Sequence, residues 1–315
     1  MARSRAVLVV ADPTTTTQPA VQRGAWLAKQ LGAGLELFIC DYDQYLSGER
    51  FFDDGSLEKA RKQVISKNTA TLRKLAQQVG EGLSVTVDAA WDHPLHEGIV
   101  RKVLAAKPDF VLKDTHYHPA LKRAIFSNTD WNLIRDCPAP LWLVKPRPVG
   151  DPLEMIAAVD PVHEHDKPAA LDHRILDLAK DLAASVRARL HVFHAFDPAP
   201  AYAVSSDSMA FPISAPMTDI LQALKQRHEE AVGELMKSYA DVPSNRIHVV
   251  EGNTREQLDA LVDDISADLV VMGAVSRGLF ERIILGSTAE QILDRVACDL
   301  LIIKPSNFES RLATD

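Results

Sequence analysis

The 315-residue sequence has few cysteines, no excess of positive charge and no long apolar segment. Its three cysteines (Cys40, Cys137 and Cys298) are odd in number, lie far apart and lack CxxC spacing, so we expect small buried side chains in a reducing compartment. The net charge of −8 argues against a general nucleic-acid or anionic-membrane surface, because both require clustered positive charge.

The sequence also lacks export and membrane signals. The first apolar stretch, residues 6–11, is too short for a signal peptide, and no apolar run reaches the 18 residues typical of a membrane span. We therefore expect a cytoplasmic protein with no membrane partner.

The motifs of several enzyme classes are missing. There is no G-x-S-x-G, no P-loop and no G-x-G-x-x-G, so esterase, Walker-type ATPase and dinucleotide oxidoreductase activities lack their sequence basis. The pairs His116/His118 and His163/His165 suggest metal ligands, but no cysteine or third ligand follows at metal-site spacing. We predict neither a metal site nor a catalytic residue.

An internal repeat is the main feature that is present. Asp109-Phe-Val-Leu-Lys resembles Asp268-Leu-Val-Val-Met 159 residues later, and Lys145-Pro146 resembles Lys304-Pro305 at the same offset. Asp12 and Asp160 match at the shorter offset of 148, which indicates insertions in the second copy. A repeat of this length predicts a duplicated domain, with copies over residues 1–146 and 153–305 and a tail over 306–315.

Each copy alternates short apolar runs with segments of helical periodicity, in the order β-α-β-α-β-α-β-α-β. This order predicts an α/β fold of two tandem Rossmann-like domains, each with a parallel sheet and helices on both faces. The last strands, residues 141–145 and 300–304, would lie at sheet edges, which need covering. The proline-rich loop 197–216 is either a lid or inert packing.

One candidate ligand site follows from this arrangement. Ligands of open parallel sheets bind beyond the carboxyl ends of the strands. In the second copy Asp160 and Gly273 end strands there, and Gly286-Ser287-Thr288 begins a helix whose free amides favour a phosphate. Gly273 would allow a close ligand approach or a positive φ angle. The alternatives are a simple capping box, Ser287-x-x-Glu290, and ordinary turn glycines.

The second copy resembles a universal stress protein domain. The resemblance is carried by Val270-Val-Met-Gly-Ala-Val-Ser-Arg-Gly-Leu, by Leu285-Gly-Ser-Thr-Ala-Glu-Gln-Ile and by Cys298-Asp-Leu-Leu-Ile-Ile-Lys-Pro. With Phe126-Ser-Asn-Thr-Asp-Trp-Asn-Leu in the first copy, the pair resembles tandem E-type members of that family. The resemblance implies five-stranded sheets of strand order 3-2-1-4-5. Because last strands pair across a dimer in this family, it also implies that one copy covers the other's last strand within the chain, as an intramolecular pseudo-dimer.

The same resemblance implies a nucleotide site. Many members bind ATP through G-x2-G-x9-G-[ST] and the aspartate after the first strand. Here the motif runs Gly273-x2-Ser276-x9-Gly286-Ser287, so a serine replaces its second glycine. Gly278 can relieve backbone strain at that position, and Arg277 can clamp an anion. The matching positions of the first copy are Asp114, Tyr117, Ser127 and Asn128, which predicts a degenerate partner domain.

Three functions are compatible with these features. The leading hypothesis is a stress-response sensor or scaffold that binds ATP or a related adenine nucleotide, optionally with Mg²⁺, in its second domain. The alternatives are a slow ATP hydrolase and a ligand-free protein-interaction module, because fold resemblance alone does not choose among them. A further homodimer is compatible with the sequence.

Overall fold

The computed structural model describes residues 5–46, 54–118, 123–125, 127–162, 170–199, 216–274 and 296–313. The strands are β1 (Ala6–Val10), β2 (Gly34–Asp41), β3 (Val85–Trp91), β4 (Phe110–Asp114), β5 (His116–His118), β6 (Arg123–Ile125), β7 (Leu141–Val144), β8 (Glu154–Ala158), β9 (Arg189–Phe196), β10 (Ile247–Glu251), β11 (Leu269–Gly273) and β12 (Asp299–Ile303). The helices are α1 (Pro19–Leu31), α2 (Asp54–Val79), α3 (Leu95–Ala106), α4 (Asn128–Asp136), α5 (Ala170–Val186), α6 (Met217–Met236) and α7 (Thr254–Asp264).

The chain forms two compact units. The first unit comprises residues 1–148 together with 299–315, and the second comprises residues 149–298. The last strand of the second repeat, β12, is grouped with the first unit. Within the described residues, no helix is both long and apolar enough to cross a bilayer.

The sheet of the first unit has the expected strand order. It runs β3-β2-β1-β4-β7, with neighbours parallel. Its central strands are continuous apolar runs because helices cover both faces, and β7 is buried along its whole length. β12 adds to β7 in the antiparallel direction, with Leu300 opposite Leu143. The predicted covering of one last strand by the other is therefore confirmed.

The second unit carries the first four strands of the same order. These strands lie side by side in the order β10-β9-β8-β11, and every neighbouring pair is parallel. The α/β class with a mostly parallel sheet is thus confirmed.

A shared side-chain contact explains the clearest identity of the repeat. Asp109, which precedes β4, accepts a hydrogen bond from the backbone N–H of Ala6 at 2.6 Å. Asp268, which precedes β11, accepts one from the N–H of Glu154 at 2.9 Å and another from Gly150. In both units the aspartate joins the beginning of the fourth strand of the repeat to the beginning of the first, which fixes their register.

The structure adds a strand pair that the sequence did not predict, and two predicted segments lie outside the residues that it describes. The antiparallel pair β5–β6 follows β4 in a stretch for which no strand was predicted. The predicted helix at 288–296 and most of the loop at 197–216 lie outside the described residues.

Candidate functional site

The carboxyl edge of the first unit's sheet contains a cavity of about 240 Å³. It lies where β1 and β4 end side by side, with Val10 opposite Lys113 in the register. Asp114 comes directly after Lys113, and Asp12 lies two residues after Val10. The lining residues are Val10, Ala11, Asp12, Pro13, Thr14, Cys40, Leu95, Ile99, Lys113, Asp114, Ser127 and Thr129. The first unit therefore has a cavity beyond the carboxyl ends of its strands, whereas the sequence predicted a ligand site at the corresponding place in the second copy.

Asp114 binds the N-terminus of α1. Its Oδ1 accepts a hydrogen bond from the backbone N–H of Ala20 at 2.6 Å, while the preceding residue Pro19 has no N–H to offer. Burial raises the pKa of Asp114 to about 7, against the opposing effects of the Ala20 N–H and of Lys113. This carboxylate therefore occupies the place at the helix N-terminus that an anionic ligand would otherwise take.

Asp130 is a second carboxylate that binds a backbone amide at a helix N-terminus, here that of α4. Ser127 and Asp130 form a reciprocal capping box, in which the Ser127 Oγ accepts from the Asp130 N–H and Asp130 accepts from the Ser127 N–H at 2.8 Å. The other oxygen of Asp130 lies 2.7 Å from the Lys113 ammonium, and the Asp130 side chain is fully buried. Two backbone amides at this helix N-terminus, those of Ser127 and Asp130, are thus already bound.

The second unit places its predicted residues on the same two strands. β8 and β11 are adjacent, with Ala158 opposite Met272, so Asp160 and Gly273 lie at neighbouring strand ends. The backbone N–H of Asp160 donates to Asp172, a buried residue in the first turn of α5, at 3.0 Å. Among the described residues, the half-buried carboxylate of Asp160 has no hydrogen-bond partner, whereas Asp12 accepts from both the N–H and the hydroxyl of Thr14.

Gly273 has a packing reason that the sequence did not reveal. A Cβ at this position would lie 2.7 Å from Leu171 Cδ2 and 3.2 Å from Ile175 Cδ1, both on α5. Of the two alternatives given for Gly273, close ligand approach or a positive φ angle, the positive φ angle is not adopted, because its backbone lies outside the left-handed region. Close approach of α5 to β11 accounts for the glycine without any ligand.

The other predicted site residues are not among those that the structure describes. They are Ser276, Arg277, Gly278, Gly286, Ser287 and Thr288. His163 and His165 also fall outside, and the described residues contain no group of three or more side chains able to hold a metal ion.

A buried histidine pair supports the candidate site and was missed by the sequence analysis. His194 on β9 contacts the carbonyl oxygen of Val159 at 3.1 Å through Nδ1 and the Nδ1 of His228 on α6 at 2.7 Å through Nε2. Both rings are buried, and His228 stacks on Phe196. Because Val159 immediately precedes Asp160, this pair fixes the end of β8. A polar residue within the apolar strand HVFHAF was the available signal.

Comparison with known proteins agrees with this architecture. The sequence matches the universal stress protein family over residues 4–145 and again over 165–304. It is 31% identical to universal stress protein E of Salmonella typhi, over 100% of this chain and 99% of that protein, and 30% identical to its Escherichia coli K12 counterpart, over 100% and 98%.

A solved structure of similar length gives the same result. A functionally unknown protein from Pseudomonas aeruginosa PAO1 superposes with a TM-score of 0.72 at 25% identity, covering 96% of this chain and 94% of the other. Two family domains in succession and relatives that align from end to end lead to one conclusion: the chain belongs to the universal stress protein family and carries two of its domains in tandem.

Proposed function

We propose that this stress-response protein binds ATP or a related adenine nucleotide in its second unit and acts in the cytoplasm as a sensor or scaffold rather than as an enzyme. One observation carries the proposal. At equivalent strand ends, the first unit places the carboxylate of Asp114, and the second unit places Gly273, which has no side chain.

Charge explains why this difference matters. A carboxylate about 4 Å from a phosphate repels it by about 1 kcal/mol in water and by about 4 kcal/mol near a protein surface of lower effective dielectric constant. In the first unit Asp114 and Asp130 impose this repulsion at two helix N-termini. The residue that corresponds to Asp114 in the second unit is Gly273, which imposes none.

The carboxylate of Asp160 supplies the second element of the site. It follows β8 and is uncommitted among the described residues, so it can accept hydrogen bonds from ribose hydroxyls. Its backbone is held from both sides, by Asp172 through the Asp160 N–H and by His194 through the carbonyl of Val159. A side chain on so fixed a strand end is preorganised for a ligand.

Native mass spectrometry of the full chain, purified without added nucleotide, tests the proposal. We expect a mass increment of one AMP, ADP or ATP per chain, or its appearance after addition of ATP. Incubation with radiolabelled ATP then separates a sensor from an enzyme, because a binding protein leaves the label unhydrolysed. A chain that stays empty at millimolar ATP contradicts the proposal, and steady release of labelled phosphate contradicts its non-enzymatic part.

A further inference from the structure

The cavity of the first unit contains an unsatisfied carboxylate oxygen. Asp114 uses Oδ1 to bind the Ala20 N–H, but its Oδ2 is buried and has no hydrogen-bond or ion-pair partner among the described residues. A buried acceptor without a donor costs about 1–3 kcal/mol, and more when it carries a charge. Asp114 lines the cavity, but Oδ2 is closed to a water-sized probe, so a ligand there supplies the missing donor once the carboxylate turns slightly towards it.

The charges around the cavity favour a cation. Its lining contains Asp12 and Asp114, and Asp130 lies behind Lys113. Lys113 is the one cationic residue among the described residues of the lining. It contacts the Asp130 carboxylate and donates a hydrogen bond to the Asp114 backbone carbonyl at 3.1 Å. The negative charge of Asp114 is therefore left without a hydrogen-bonded cation. The same charges repel phosphate, so the ligand differs from the one proposed for the second unit.

The rest of the lining is mainly aliphatic. Val10, Leu95 and Ile99 form part of the wall with the thiol of Cys40, whose pKa burial raises to about 12, so that it stays a neutral apolar group. A volume of about 240 Å³ lies below that of drug-sized sites and holds roughly eight groups of the size of a water molecule. The wall therefore suits a small aliphatic body.

We propose that the first unit binds a small aliphatic primary amine, with its ammonium group on Asp114 Oδ2 and its hydrocarbon body against Val10, Leu95 and Ile99. The first unit is then not a vestigial copy of the second but a site of opposite charge preference. The assignment is independent of nucleotide binding, since it concerns other residues in the other unit.

Isothermal titration calorimetry of the full chain with cyclohexylammonium at pH 8 tests this site. Cyclohexanol has the same shape without the charge, and we expect it to bind at least about tenfold more weakly, as expected when a charged hydrogen bond is lost. Inorganic phosphate should not compete. Equal binding of the alcohol, displacement by phosphate, or no saturable binding of the ammonium would overturn the proposal.

The pH dependence gives a second readout on the wild-type protein. The amine stays protonated between pH 6 and 8, whereas Asp114, with a pKa of about 7, takes up a proton over this range. Only the ionised carboxylate is competent to bind the cation, so the affinity should fall about tenfold from pH 8 to pH 6. An affinity that is constant over this interval contradicts the assignment to Asp114.

Asp114→Asn identifies the residue. The amide oxygen can still accept from the Ala20 N–H, while the amide N–H₂ would face the ammonium, so we expect at least about tenfold weaker binding. Glu81→Gln removes one charge from an exposed turn of the same unit and should leave binding unchanged. If Asp114→Asn binds the ammonium as tightly as the wild type does, the proposal fails. If the variant does not fold, the comparison with cyclohexanol and the pH dependence, both measured on the wild type, decide whether the proposal holds.

Discussion

Asp299 accepts a hydrogen bond from the indole Nε1 of Trp142 at 2.9 Å, and both side chains are fully buried. The same carboxylate accepts from the backbone N–H of Lys145 at 2.9 Å and lies 2.8 Å from the guanidinium of Arg23, which is itself 7% exposed. Asp299 begins β12 and Trp142 lies on β7, so this network attaches the last strand of the second repeat to the first unit.

Asp299→Ala should therefore destabilise the protein strongly. The substitution leaves Arg23 buried without its carboxylate, which costs about 3–5 kcal/mol. Urea denaturation measures the loss in the free energy of unfolding. Glu58→Ala is the control, because it removes the exposed Glu58–Lys62 pair on α2 and should leave the free energy of unfolding nearly unchanged. Similar losses for the two variants would contradict the buried network.

Gly273→Ala tests the packing role assigned to this glycine. The new methyl group meets Leu171 at 2.7 Å, and overpacking of this kind costs about 1–3 kcal/mol. Combining it with Leu171→Ala should cost less than the two single changes added together, since the smaller side chain makes room for the methyl group. Thermal unfolding of the three variants gives the comparison. Additive losses, or an unaffected single variant, would show that α5 does not constrain this position.

Asp114 should make stability depend on pH. Its folded-state pKa, raised to about 7 by burial, lies above the 3.8 of the unfolded chain, so the folded state holds an extra proton between these values. The stabilisation is fully present below pH 3.8 and is lost as the pH rises through 7. The wild type should thus lose on the order of 2–4 kcal/mol relative to Asp114→Asn between pH 4 and 8. Parallel stability curves for the two proteins contradict this.

Lys304 should give the opposite dependence. Burial lowers its pKa from 10.5 to about 8, and its ammonium lies 4.8 Å from the ring centroid of Phe308. The folded state therefore binds fewer protons than the unfolded state between pH 8 and 10.5, so its stability rises with pH over that interval. Lys304→Met should stabilise by on the order of 2–3 kcal/mol below pH 8, a gain that shrinks towards pH 10.5.

Exposed Lys29 on α1 provides the control for this series. Lys29→Met removes an ammonium group from the surface and relieves no charge burial, so it should not give the gain in stability expected of Lys304→Met. If Lys304→Met gains the same free energy of unfolding at every pH, removal of a buried charge is not the cause of the gain.

The sequence predicted the features that depend on local pattern. Continuous apolar runs such as Leu141–Val144 identify strands buried on both faces, and the predicted helix at 128–136 coincides with α4. The strand order of the first unit was available only through the family resemblance, since periodicity says nothing about which strands are neighbours. The assignment of β12 to the first unit depends on the Asp299 network, which joins residues more than 150 positions apart.

The candidate site was less accessible to sequence reasoning. Gly273 was interpreted from its position at a strand end as a glycine that allows close ligand approach. Its packing against Leu171 is a tertiary contact, which the local sequence does not reveal. Asp114 was recognised as a departure from the nucleotide motif, but its hydrogen bond to Ala20 and the adjoining cavity depend on how α1 packs against β4. Buried His194 and His228 are 34 residues apart on different elements, so no local pattern could connect them.

Titration of the full chain with ATP by calorimetry, using the variants Asp160→Ala and Asp12→Ala, most directly tests the central claim that the second unit is the nucleotide site. The two aspartates occupy equivalent positions after β8 and β1. We expect one molecule of ATP per chain, at least about tenfold weaker binding in Asp160→Ala, and wild-type affinity in Asp12→Ala. Loss of binding in Asp12→Ala with none in Asp160→Ala, or no binding to the wild type, would contradict the account.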